Sequence, residues 1–208
     1  KKHTPLGVLA VERCADLIQR AIKFEQKNFL YIKALGSPWV QFNGHTLNLS
    51  HRQIEILCIL ALYPYGIGLE ELHYALYGER SVSLKTLKAE LSQLRSLLPH
   101  SIEARIYRLT CEVQCDFLRA EQSLNANLIS STFSLYKGSF LSKSESPLLS
   151  TWRHCFDARL SQLIYQIKDI DQLLRIIGQT HDRIDAVQRL LELLPQDSIH
   201  RNYFSNLI

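Results

Sequence analysis

The sequence predicts an α+β chain, mostly helical. A small antiparallel sheet precedes three helices and a hairpin, and an all-helical half follows. Three observations predict it. Residues 29–49 fall into short apolar segments separated by Gly36-Ser37-Pro38 and Asn43-Gly44, the punctuation of short strands. Residues 50–98 carry apolar side chains at spacings of three and four behind capping residues, which marks helices. Beyond residue 113 the chain reads as successive amphipathic helical stretches.

The elements follow in order. Residues 6–25 form an amphipathic helix carrying Leu6, Leu9, Ala10, Leu17, Ile18, Ala21 and Ile22. FLYIKAL, WVQF and TLNL are strands, and Asn43-Gly44 is a tight-hairpin signal. Ser50 with Gln53 three positions on has the spacing of a capping box. It opens a helix through Ile54, Leu57, Cys58 and Ala61 that stops before Tyr63-Pro64. A second helix, residues 69–77, ends at Gly78. The third, residues 83–98, reads SLKTLKAELSQLRSLL, capped by Ser83 and blocked by Pro99. Leu84, Leu87, Leu91, Leu94 and Leu98 make its apolar stripe. Residues 101–109 alternate as short strands with Arg105 near the tip.

That third helix has a narrow polar face of Lys85, Lys88, Ser92 and Arg95, with Thr86 and Ala89 beside them. Most of these side chains can donate to a phosphate or reach a base edge. An ordinary solvated helix face would look similar, so the neighbouring elements decide. Strands, three helices and a hairpin is the order of a winged helix, which lays one helix in the major groove of duplex DNA. On that reading residues near the start of 83–98 read bases, and Arg95 fixes a phosphate or packs along the second half. The wing brings Arg105 and Arg108 to the minor groove or backbone, although Arg108 can instead pair with Glu103. Arg52 and His51 add a phosphate contact at the start of the first helix. Glu90 belongs at the edge of the contact. With two Lys and one Arg, the face is thinly basic and predicts modest monomer affinity.

Composition sets bounds. At 208 residues, 46% apolar and 21% charged, the chain is globular and long enough for a sizeable core. A net charge of +4 permits a nucleic-acid partner without requiring one. The five Cys are scattered and odd in number, which fits free thiols in a reducing cytoplasm. Cys111 and Cys115 lack a second pair or nearby His, so no metal is expected. The His residues are dispersed, and no phosphate-cradling loop, His-Glu-x-x-His or Gly-x-Ser-x-Gly is present. We therefore expect no enzyme and no cofactor. No apolar run approaches the roughly 20 residues of a membrane span, and the first residues become charged too soon for a secretory signal. The absence of Met suggests a piece of a longer protein.

Leu49-Ser50, Tyr77-Gly78, Thr86, Leu94-Arg95 and Tyr107-Arg108-Leu109 occur in an order and spacing that resembles the effector domain of OmpR/PhoB-type response regulators. Further on, Ser134-Leu135-Tyr136-Lys137-Gly138-Ser139-Phe140-Leu141 resembles a segment of the bacterial transcriptional activator domain. That tetratricopeptide-like module follows the winged helix in SARP-type activators. Residues 147–165, with Trp152, Phe156, Leu160, Leu163 and Ile164 on one side, continue as its long helix. Residues 169–177, 183–194 and 198–207 give three more helices, broken at Gly178 and Pro195. The opening helix is similar to the closing helix of a GAF sensory domain. The resemblance implies a boundary pattern of 1–28 (linker or signalling helix), 29–112 (winged helix) and 113–208 (helical activator-like domain). It also implies double-stranded DNA as partner, and dimerisation or RNA polymerase recruitment through the helical half. The loop 63–68 would meet polymerase through Tyr63, Tyr65 and Ile67. The competing reading is a winged-helix protein-interaction module with a helical scaffold and no specific DNA binding.

Overall fold

The computed structural model describes residues 27–180, 182–196 and 198–205. The opening helix, and with it the GAF-like segment, lies outside the described residues.

Strands β1 (Phe29–Lys33), β2 (Trp39–Phe42) and β3 (His45–Leu47) form an antiparallel meander. Asn43 and Gly44 both take positive φ, 49° and 83°, the backbone that a two-residue hairpin turn needs. Leu30 and Ile32 of β1 and Val40 and Phe42 of β2 face the core, and the alternate residues face outward.

The expected capping box is present. Ser50 Oγ accepts from Gln53 N at 3.2 Å, while Gln53 Oε1 accepts from Ser50 N at 3.0 Å. It opens α1 (His51–Leu62), in which residues 53–60 are buried without a break. A helix buried on all sides belongs at the centre of the fold. Helix α2 (Leu69–Tyr77) stops at Gly78, whose φ is 59°. Helix α3 (Leu84–Leu97) buries Leu87, Leu91 and Leu94, and its cap Leu98 is buried too. Leu84 departs from the expected stripe. It sits in the first turn, 37% exposed, before α3 has reached the core.

After α3 the chain makes a narrow wing. Ile102 bridges Leu109, and Tyr107 bridges Ile67 in the loop between α1 and α2. These are isolated bridges, with bends at residues 104–106 forming the tip. The tip packs on the Gly66 backbone so closely that a Cβ there would come within 2.2 Å of Ile106 Cγ2.

The main departure from expectation follows the wing. The sequence places Val113 at the start of a helical region, yet β4 (Glu112–Cys115) is a strand. It pairs parallel to β1, giving the sheet order β3-β2-β1-β4. The three-stranded antiparallel sheet expected from residues 29–49 thus gains a fourth, parallel strand from beyond the wing.

Helices α4 (Asp116–Asn125), α5 (Ile129–Leu135), α6 (Pro147–Gln166), α7 (Ile170–Gln179), α8 (Ile184–Leu193) and α9 (Ile199–Ser205) complete the chain. They pack as α4 on α5, α5 on α7, α7 on α8 and α8 on α9, with α6 against α4 and α8. The long helix starts where the sequence places it and ends one residue later than expected, at Gln166. Gly178 does not end α7, which continues to Gln179 and is closed by Thr180 Oγ1 donating to Ile176 O at 2.7 Å.

The two halves share one core. Phe117 of α4, Phe140, and Trp152 and Phe156 of α6 form an aromatic cluster with neighbouring centroids 4.5–5.3 Å apart. Leu35, just past β1, bridges Phe140. Asp116 at the head of α4 reaches back across the junction. Its carboxylate accepts from Ala34 N (2.8 Å), Leu35 N (3.0 Å) and Phe117 N (2.7 Å). Burial raises its pKa, and those N–H groups pull the other way. Helix α6 also packs on α1 and α2. Among the described residues no helix is long and apolar enough to cross a membrane.

Candidate nucleic-acid interface

Helix α3 has two unlike sides, and its attachment to the fold decides which one meets solvent. Leu87, Leu91, Leu94 and Leu98 are pulled into the core. Gln53 Nε2 of α1 donates to Gln93 Oε1 at 2.9 Å, which fixes the rotation of α3 about its axis. Ser83 Oγ accepts from Lys85 N at 3.1 Å and closes the first turn. Lys85, Thr86, Lys88, Ala89, Ser92 and Arg95 are consequently all exposed together. Among the described residues none of Lys85, Lys88 or Arg95 has a carboxylate at ion-pair distance.

Glu90 leaves this face. It is half-buried with its Oε2 buried and lacking a hydrogen-bond partner among the described residues. Tyr77 has its pKa raised, chiefly by burial and further by the Glu90 and Glu55 charges, with Arg52 opposing. With that oxygen buried, the carboxylate that would repel a phosphate is withdrawn from the exposed face of α3.

The wing stands beside the far end of α3. Between them lies an open concavity of about 610 Å³ lined by Ser92, Arg95, Ser96, His100, Glu103 and Thr110, among others. Arg105 is exposed at the tip and unpaired among the described residues. Arg108 is already occupied, since its Nε donates to Glu103 Oε2 at 2.5 Å. Both partners are about half exposed, at 47% and 45%. The stem is held by Thr110 N to Ser101 O (3.0 Å) and Glu103 N to Arg108 O (3.0 Å).

Arg52 is not presented to solvent as a phosphate contact would be. Its guanidinium lies over the Tyr77 ring, 4.6 Å from the centroid. Nη1 is 2.6 Å from Glu55 Oε2 and 3.5 Å from Leu76 O. His51 Nε2 is 3.6 Å from Glu55 Oε1 and more exposed. In the 63–68 loop the three candidate residues part company. Ile67 is buried and backbone-paired to Tyr107, Tyr63 is half-buried, and Tyr65 projects with 92% exposure. In the helical half Phe156 is core, whereas Tyr165 and Tyr203 are exposed at 46% and 66%.

Sequence reasoning missed two groups that hold the site. Gln53 was assigned only its capping role, and nothing local in the sequence announces its second bond, to Gln93. The sequence gives Arg80 no role and counts His73 only among the dispersed histidines. His73 Nε2 lies 2.7 Å from Val82 O, and Arg80 Nη1 and Nη2 meet Glu145 Oε2 (2.9 Å) and its backbone O (2.6 Å). Arg52 with Glu55 at a three-residue spacing was a readable signal for a helical ion pair.

No family model matches the chain. A curated relative, an uncharacterized 47.3 kDa protein in the thcA 5′ region of Rhodococcus erythropolis, is 28% identical over 153 residues. That match takes in 73% of this chain and 35% of the relative. The structure of Mycobacterium tuberculosis EmbR in complex with a low-affinity phosphopeptide aligns with a TM-score of 0.51 and 16% identity. The alignment covers 87% of this chain and 56% of EmbR. The fold is shared with EmbR. This chain spans about a third of the Rhodococcus protein and just over half of EmbR.

Proposed function

We propose that this chain is a non-enzymatic transcriptional regulator that binds duplex DNA, with α3 in the major groove and the wing beside it. The observation that carries the reading is the placement, within the winged-helix half, of the exposed Lys and Arg side chains that have no carboxylate partner. Arg52, Arg80 and Arg108 are each paired with a carboxylate. Lys85, Lys88, Arg95 and Arg105 are exposed and without one among the described residues, on the α3 face and the wing tip. A surface that meets phosphate keeps its cations available, because a carboxylate partner would have to be displaced first. Thr86 and Ala89 lie among the lysines near the start of α3, where a hydroxyl and a methyl can reach base edges and a thymine methyl. Arg52 and Arg108 move, on this reading, from direct contacts to supports of the scaffold.

The likeness in fold to EmbR and the OmpR/PhoB-like and SARP-like motifs agree with this role. The helical half serves dimerisation or polymerase recruitment, and exposed Tyr65 is the residue of the 63–68 loop best placed to meet a partner. The protein works in the cytoplasm, where Cys58, Cys111, Cys115 and Cys155 stay as the free thiols observed. The competing reading, a protein-interaction module, draws on the thinness of the basic face. Fluorescence anisotropy with promoter duplexes from the source genome separates the two. Selective binding weakened by both Lys85→Ala and Lys88→Ala supports the DNA reading. Equally poor binding by wild type and variants at low salt would defeat it.

A further inference from the structure

Three consecutive residues of the helical half each grip a different part of the winged helix. Ser144 Oγ donates to Glu55 Oε1 of α1 at 2.5 Å, and Glu55 is only 1% exposed. Glu145 accepts from Arg80, in the connection between α2 and α3, through its carboxylate and its backbone carbonyl. Ser146 Oγ donates to Ala75 O near the end of α2 at 2.7 Å. This short strap is itself held rigidly. Arg153 of α6 donates to the carbonyls of Phe140 (3.2 Å), Leu141 (2.7 Å) and Ser144 (3.3 Å). Pro147 sits so close to Gly78 that a Cβ on the glycine would come within 3.1 Å of its ring.

The connection that the strap holds leads directly into the start of α3. Residues 79–82 have no regular structure and are fixed by Arg80 with Glu145 and by His73 with Val82 O. The first turn of α3 is closed by its own cap but has no side chain anchored in the core, because Ser83, Leu84, Lys85 and Thr86 are all exposed and Leu87 is the first buried side chain. The body of α3 is held by its buried leucines, and its exposed first turn is steadied in addition by the connection.

We infer that Glu145, on a strap that Ser144 anchors to α1, is a positioning residue for the DNA-reading turn of α3, so that the helical half influences DNA affinity through the strap without touching DNA. The affinity part of this inference rests on the DNA-binding reading above; the mechanical part does not. A displacement of the helical half, by a partner or a second subunit, passes through the Arg80–Glu145 link into the connection that precedes Lys85 and Thr86.

The test is the Ser144→Ala/Glu145→Ala double variant of the full chain. Hydrogen exchange followed by mass spectrometry reads residues 79–86, and anisotropy reads duplex affinity across a salt series. The strap predicts faster exchange in that stretch and affinity lowered about 3- to 10-fold, the scale of one or two lost hydrogen bonds. The salt slope stays unchanged because no phosphate contact is lost. Simple electrostatics predicts the opposite sign, since the variant loses a negative charge. Unchanged exchange at residues 79–86, or tighter binding, would overturn the inference. Arg80→Ala breaks the same link from a side chain 45% exposed, so its faster exchange supports the strap even if the double variant fails to fold. If wild type binds no duplex at all, the DNA reading fails while the exchange comparison still decides the mechanical link.

Discussion

Phe140→Ala would show whether the two halves stand or fall together. Phe140 is fully buried, with the Phe117 ring at 4.9 Å and the Trp152 ring at 4.5 Å, and its neighbourhood joins the end of β1 to α4 and α6. Truncating a buried Phe costs about 3–5 kcal/mol, the lost transfer energy plus the cavity. For a chain of this size each kcal/mol moves the melting temperature by about 2–4 °C, so the expected fall is on the order of 10 °C. The protein carries its own reporters. Its two tryptophans lie one in each half, Trp39 on β2 beside Tyr31 and Trp152 on α6. In Trp152→Phe and Trp39→Phe backgrounds the remaining tryptophan follows a single half through thermal denaturation. A shared core predicts coincident transitions that both shift when Phe140 is removed. A Trp39 transition that stays put while the Trp152 transition falls would show that the halves are separate folding units.

Other consequences are as direct. Arg105→Ala should lower the salt slope of duplex binding by about one, whereas Arg108→Ala, already paired to Glu103, should leave the slope unchanged in the same titration. Among the cysteines of the described residues, thiol labelling of the native protein at pH 8 should modify exposed Cys155 first and half-buried Cys111 slowly. Buried Cys58 and Cys115, the latter with its pKa pushed up to about 12 by burial, should react only on unfolding; prompt labelling would contradict the packing of α1 for Cys58 or of β4 for Cys115. Asp116, with a folded pKa raised above its ordinary 3.8, contributes stability that is complete below that value and is lost as pH rises through the folded one. Urea unfolding of wild type and Asp116→Asn across a pH series should therefore give a difference that declines from pH 3.8 toward neutrality; a difference that grows would reverse the sign.

What could be read from the sequence was local. Ser50 with Gln53, Gly78, Ser83 and Asn43-Gly44 mark turns and caps whose chemistry lies within four residues. The elements they bound begin and end at or within a residue of the expected places. The leucine period of α3 likewise identified the exposed face, apart from Leu84, whose helical phase was right but whose turn lies ahead of the core. What escaped depends on distant partners. Glu112-Val113-Gln114-Cys115 is too short to show a period, and it becomes a strand only because β1, some eighty residues earlier, offers a free edge. The strap at 144–146 has no helical or strand pattern, and its meaning lies in Glu55, Ala75 and Arg80. For the interface, exposure of the six α3 residues followed from periodicity. Which arginines are already engaged did not, since Arg108 with Glu103 was one of two open alternatives and the Arg52 stack on Tyr77 joins two different helices.

The salt dependence of duplex affinity bears most directly on the proposed function. With Lys85, Lys88, Arg95 and Arg105 as the unpaired cations of α3 and the wing, a plot of log affinity against log salt should fall with a slope of about −3 to −4 per monomer, about −0.9 for each phosphate neutralised. Doubling of that slope would accompany a dimer on paired sites. A slope near zero, or no duplex binding at low salt, would contradict DNA recognition by α3 and the wing.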